Sequence, residues 1–228
     1  MTLFLNLIFY NSTKEVDYMI RIFGRKRKER EVMEKIRRLV ESIQNNNQKN
    51  EYVFEDMPKI AEQVLQALGD KNQIPVPIVK VMTSLGFQVV SGELEENISG
   101  IIAVDENLSK KFASNKVIAI NNLDNLGHQR FTIAHELAHY LFDFDVSNDI
   151  DYYNAYDTEK ADNSPVEKRA NFFAANLLMP EHIFREEFKK NRVENNLYTT
   201  TQKLADIFEV SMEAVRRRIR ELSLEVRG

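Results

Sequence analysis

The chain has 228 residues, enough for one sizeable core or for one domain with a small appendage. Its formal charge of −4 argues against a protein that coats nucleic acid. It has no cysteine, which excludes disulfides and thiolate metal sites, fits a reducing, cytoplasmic setting, and leaves His and carboxylates as the only strong metal donors.

The opening MTLFLNLIFY is too short to span a bilayer. It lacks the basic n-region and small-residue cleavage site of a signal peptide. It reads either as a short element packed on the body or as sequence upstream of a true start at Met19. From Arg21 to Val40 nine Lys/Arg stand against three Glu. Ile22, Val32, Ile36, Leu39, Val40 and Ile43 recur at helical spacing, so residues 19–43 are expected to form a basic amphipathic helix with a solvated face. The polar run Gln44–Asn50 reads as a linker. Residues 1–50 are thus expected to be an N-terminal extension, 51–192 the main domain, and 193–228 a C-terminal helical segment.

The body opens with a predicted helix at 56–68, with Asp56 as N-cap and Gly69 as its stop. A short helix Ile78–Leu85 ends at Gly86 and leads to a strand, Phe87–Val90. Two apolar strands follow, Gly100–Val104 and Lys116–Asn121, expected to pair as in a hairpin. A helix from Gln129 to Phe142 comes next, then an Asp-rich loop over 143–163. Helices are predicted at 164–179, 180–191, 201–208 and 212–222. The fold class is α+β, a small sheet packed against helices.

The helix at 129–142 carries His135-Glu136-Leu137-Ala138-His139. Residues four apart share a helix face, so both imidazoles can point at one ion, with Glu136 beside them. A divalent ion acidifies water, and a carboxylate can take its proton during attack on a carbonyl; this is the metalloprotease reading of H-E-x-x-H. The competing reading is two structural histidines on a half-buried helix, since Ile133, Leu137, Leu141 and Phe142 form a core stripe. Buried imidazoles would then need other partners. A third ligand must come from elsewhere: Glu167, Asp162, Asp143, Asp145, His128 and His182 are candidates. Glu167 competes with a local role, because Ser164-Pro165-Val166-Glu167 is a capping box with Pro at its first helical position.

RFTIAHELAHYLF followed by EKRANFFAANLLMP resembles the ImmA/IrrE family of metallopeptidases, as do IPVPIVKVMTSLGFQVV and SGIIAVDE upstream. The resemblance covers about residues 74–222. It implies a zincin-like fold and His135, His139 and Glu167 as zinc ligands, a gluzincin-like set in which manganese is also admissible. It implies Glu136 as general base. It further implies a cytoplasmic endopeptidase that cuts a helix-turn-helix repressor of a mobile element, phage or stress switch and so relieves repression. The first fifty residues and the Asp-rich loop depart from the compact members of that family.

Around this site Asn171, four residues after Glu167, is a candidate to orient a ligand or hold substrate. Arg130, His182 and Tyr140 are further candidates for supporting or substrate-binding roles, and His182, His128, Tyr140 and Tyr198 are candidates for transition-state stabilisation. Asp143 and Asp145 could support a ligand from outside, although the solvated start of a loop is their first reading. The C-terminal QKLADIFEVSMEAVRRRIREL resembles a helix-turn-helix, with Glu209 where a turn glycine is usual. Arg216, Arg217, Arg218 and Arg220 make its second helix basic, a nucleic-acid or partner surface in one reading and a solvated face in the other. The alternative to a peptidase is therefore a DNA- or repressor-binding regulator with a structural metal site. Glu136 argues against it, since a structural site needs no base there.

Overall fold

The computed structural model describes residues 26–47, 54–69, 71–144, 152–157 and 164–224. The apolar opening, Met19, the end of the expected linker, Asp145 and Asp162 lie outside these residues. Helix α1 spans Lys26–Asn47. Its Ile36, Val40 and Ile43, spaced by four and three, are buried in the main core. The basic helix is therefore one wall of the body, with Glu34, Lys35, Arg37 and Arg38 on its outer face. The helix also runs past the point where a linker was expected. Gln44 is buried, and its side-chain amide donates to the Tyr140 carbonyl at 2.8 Å, which anchors the last turn.

A 3-10 turn at Phe54–Asp56 leads into α2 (Met57–Leu68). Asp56 lies inside that turn with helical backbone and makes no side-chain cap bond, contrary to expectation. Pro58 in the first helical turn removes one N–H that would otherwise need a partner. Gly69 closes α2 in the left-handed region, at φ +95°. Helix α3 spans Ile78–Ser84.

Four strands follow in one sheet: β1 (Gln88–Gly92), β2 (Ile98–Val104), β3 (Lys116–Asn121) and β4 (Tyr152–Asp157), in spatial order β1-β3-β2-β4. β1 runs parallel to β3, and β2 is antiparallel to both β3 and β4. The period-two alternation of β2 and β3 divides their side chains. Ile102, Ile118 and Ile120 join the main core under the helices. Ile101, Ala103, Val117 and Ala119 pack on the other face with Leu94 and Leu108. Strand β4 falls within the stretch expected to be all loop. Its pairing with β2, Ile102 against Asn154, supplies order that its sequence does not show as alternation.

Helix α4 (Leu126–Phe142) crosses the inner face of the sheet. Gly100 allows the close approach, since a Cβ there would sit 2.5 Å from Thr132 Cγ2. Helix α5 (Pro165–Leu178) packs on α4, followed by α6 (Glu181–Asn191), α7 (Leu197–Phe208) and α8 (Met212–Glu221). The architecture is α+β, a small sheet covered by helices. Among the described residues no helix is long and apolar enough to cross a membrane.

Candidate metal centre

His135, Glu136 and His139 are all buried, and the two histidines lie on the face of α4 that meets α5. α5 begins where Ser164, at its N-cap, accepts the Glu167 backbone N–H at 3.2 Å. The capping box is thus half made. The Glu167 backbone serves the cap while its carboxylate turns to the histidines, so the two readings of this residue are compatible. Its Oε2 lies 3.1 Å from His135 Nε2 and its Oε1 3.2 Å from His139 Nε2. The two Nε2 atoms are 2.9 Å apart.

The two Nε2 atoms and the Glu167 carboxylate, which turns one oxygen to each of them, therefore close a triangle of groups 2.9–3.2 Å apart. Among the described residues these three side chains form a group that could hold a metal ion. Zinc bonded at about 2.0–2.1 Å in a tetrahedron sets its ligand atoms roughly 3.3 Å apart, so the triangle is close to the size such an ion needs. The outer nitrogens reinforce this fit. His135 Nδ1 faces the Asn171 side-chain Oδ1 at 3.1 Å, and His139 Nδ1 faces Asp143 Oδ2 at 2.7 Å. Each Nδ1–H donates outward, which leaves the Nε2 lone pair aimed into the triangle. Two such nitrogens and a carboxylate at this separation repel one another unless a cation or protons lie between them.

The electrostatics follow from these contacts. Burial pushes the His135 pKa down, against the opposing pull of Glu167. For His139 burial acts in the same direction but loses. The hydrogen bond to Asp143, with the nearby charges of Glu136, Asp143 and Glu167, holds its pKa above the ordinary value. The hydrogen bond with His135 keeps the Glu167 carboxyl below its ordinary range, although partial burial opposes this.

Other candidates lie elsewhere. The Tyr140 hydroxyl accepts from Lys116 Nζ at 2.7 Å, on the sheet side of α4, so it is not a group of the triangle. His182 pairs with Asn72 at 3.1 Å and lines a surface groove with Lys59 and Glu62. Arg130 is tied to two backbone carbonyls away from the histidines: Nη2 donates to Val76 O at 2.7 Å and Nε to Glu209 O at 3.0 Å. His128 Nε2 lies 2.9 Å from Ser99 Oγ, and Tyr198 is exposed on α7. Asp143, read from sequence as a loop start, is the partner of His139. Arg169, which pairs with Asp143, carries no mark in the sequence. An i, i+4 relation between His139 and Asp143 was the signal available for the first. The second depends on how α5 meets α4.

The basic face of α8 also changes. Arg218 is buried, with Nε donating to the Met179 carbonyl at 3.1 Å and Nη2 to Asn176 Oδ1 at 2.8 Å. It is unavailable to a nucleic acid. Arg216 and Arg220 pair with Glu213 at 3.8 and 3.5 Å, and Arg217 is exposed.

A family model described as Peptidase_M78, IrrE N-terminal-like domain, matches residues 86–220. No curated protein matches the chain. Among solved structures, a Mycobacterium tuberculosis transcriptional regulator is similar, with 17% sequence identity and a TM-score of 0.48 over 85% of this chain and 55% of that one. This chain thus spans about half the length of that relative.

Proposed function

The chain belongs to the Peptidase_M78, IrrE N-terminal-like family, and from that premise we propose that it is a zinc-dependent endopeptidase acting in the cytoplasm on a protein substrate. One observation carries the reading: His135 Nε2, His139 Nε2 and the Glu167 carboxylate converge within 3.2 Å of one another, with both outer imidazole nitrogens already engaged. His135, His139 and Glu167 are the residues that would hold the ion. Two imidazoles and a carboxylate suit zinc, and manganese accepts the same donors. When bound, such an ion acidifies water and polarises a carbonyl.

This chain's residues supply the rest. Glu136, buried beside the first ligand, takes the proton from the attacking water and passes it to the leaving amine. Asn171 and Asp143 fix the imidazole tautomers. The substrate class we infer is a helix-turn-helix repressor, cleaved to relieve repression in a mobile-element or stress switch; this rests on the family resemblance. The competing reading, a DNA-binding regulator with a structural metal, loses support from α8, where Arg218 is buried and two of the other three arginines face Glu213.

The test is metal content by elemental mass spectrometry on wild type, His139→Ala, Glu167→Ala and Glu136→Gln. About one zinc per chain is expected in wild type and Glu136→Gln, with loss in the other two. Cleavage of a candidate repressor should fall by at least about 100-fold in Glu136→Gln, in line with general-base catalysis. A wild type that takes up neither zinc nor manganese removes the peptidase reading. Retention of metal by Glu167→Ala removes its third ligand.

A further inference from the structure

We propose that Arg169 is a positioning residue for the metal centre, acting through Asp143 on His139. This deepens the metal-centre reading above and rests on it. Asp143 is held to His139 twice. Its backbone N–H donates to the His139 carbonyl at 2.8 Å, and its Oδ2 accepts the His139 Nδ1–H at 2.7 Å. The second carboxylate oxygen, Oδ1, accepts from Arg169 Nη2. The Arg169 guanidinium also lies over the Phe142 ring, 5.2 Å from its centroid, so two contacts from α4 fix its place. Both side chains are partly shielded, Arg169 at 19% and Asp143 at 25% exposure, although Asp143 lies at an exposed helix end.

One helix therefore delivers three things to the site. α5 brings the third ligand at Glu167, the oxygen that orients His135 at Asn171, and, between them, the cation that holds the carboxylate orienting His139. The two histidines are oriented by different means. His135 takes a neutral amide directly, whereas His139 takes a carboxylate whose own geometry depends on Arg169. The guanidinium has two effects. It fixes the Asp143 rotamer against the pull of water, and it balances one of the three carboxylates gathered here, Glu136, Asp143 and Glu167. Groups that orient a ligating imidazole from outside are worth about 10- to 100-fold in metal affinity.

The experiment uses the full chain. Zinc dissociation constants are measured by chelator competition, and visible spectra are recorded for cobalt-loaded protein, on wild type, Arg169→Gln, Arg169→Lys, Asp143→Asn and the Arg169→Gln/Asp143→Asn double variant. The thermal midpoint of each metal-free protein is measured alongside. Arg169→Gln and Asp143→Asn are each expected to weaken zinc about 10- to 100-fold and to shift the cobalt bands. The double variant should be no worse than the weaker single, because both act along one chain of contacts. Arg169→Lys, which keeps the charge, should recover part of the loss. Wild-type affinity in Arg169→Gln overturns the proposal, as does a lowered thermal midpoint with affinity and spectrum unchanged. Losses that multiply in the double variant overturn the route through Asp143. Should Arg169→Gln not fold, Arg169→Lys decides: zinc bound more weakly than by wild type, up to the loss seen in Asp143→Asn, supports the proposal, and wild-type affinity with the wild-type spectrum overturns it. Zinc binding by Arg169→Lys that is weaker than that of Asp143→Asn overturns the route. A wild type that binds no metal fails before any variant is compared, and then the metal-centre reading falls with it.

Discussion

Each group that meets at the candidate metal centre is set by a different contact, and protons would compete with an ion for the same atoms. His139 is the group to watch. Burial alone would lower its pKa, but the hydrogen bond to Asp143 and the charges of Glu136 and Glu167 raise it above 6.5. A metal takes the deprotonated imidazole, so zinc affinity should climb as pH rises and level off only above the His139 pKa. His135, whose pKa is lowered, is already neutral there and adds little slope. Zinc dissociation constants measured from about pH 5.5 to 8.5 should therefore reach their plateau above the ordinary imidazole value of about 6.5. A plateau reached below that value would show that Asp143 does not act on His139 as described.

Among the elements, the C-terminal pair α7–α8 is fastened to both helices that carry the donors. Glu209, in its turn, adopts the left-handed conformation at φ +50°, the place where a glycine is usual. That conformation costs a non-glycine residue on the order of 1 kcal/mol. Arg130 of α4 holds it, by a bond to the Glu209 carbonyl and an ion pair at 3.5 Å to its carboxylate. Arg218 of α8 ties the other end to Asn176 and Met179 at the close of α5. Between them the turn sits directly on Gly127, in the first turn of α4, where a Cβ would lie 2.6 Å from the Val210 carbonyl carbon and 2.7 Å from Ser211 N. An ordinary helical glycine gains about 1 kcal/mol on replacement by alanine. Here the sign should reverse. Gly127→Ala is expected to destabilise by about 1–3 kcal/mol, because backbone must move to admit the methyl group. Denaturant midpoints decide: a variant as stable as wild type, or more so, means that the turn does not rest on α4.

Across the whole molecule, α1 is the element whose role differs most from its sequence reading. It belongs to the body through Ile36, Val40 and Ile43, and through Gln44 reaching the carbonyl of Tyr140, the residue after a metal donor. Ile43→Ala should cost about 2–5 kcal/mol, read from a lower denaturant midpoint at unchanged slope. A loss under about 0.5 kcal/mol, the size usual for surface positions, would mean that α1 does not pack in the core.

What the chain determines by itself is what neighbours along it can set. The four-residue spacing of His135 and His139, the two faces of β2 and β3, the Gly69 stop and the Ser164 cap all follow from local periodicity and local hydrogen bonds, and each is legible in the sequence. β4 left only a weak trace, in its tyrosines Tyr152, Tyr153 and Tyr156, because most of its order comes from pairing with β2. The remaining decisions belong to the tertiary structure: that the Glu167 carboxylate serves the histidines while its N–H serves the cap, that Asp143 and Arg169 form a chain behind His139, and that Arg218 faces inward. The reason is distance along the chain. The contacts that settle them join residues 26 to 42 positions apart, such as Arg169 with Asp143 and Arg218 with Asn176, and only the packing of one helix on another brings such residues together.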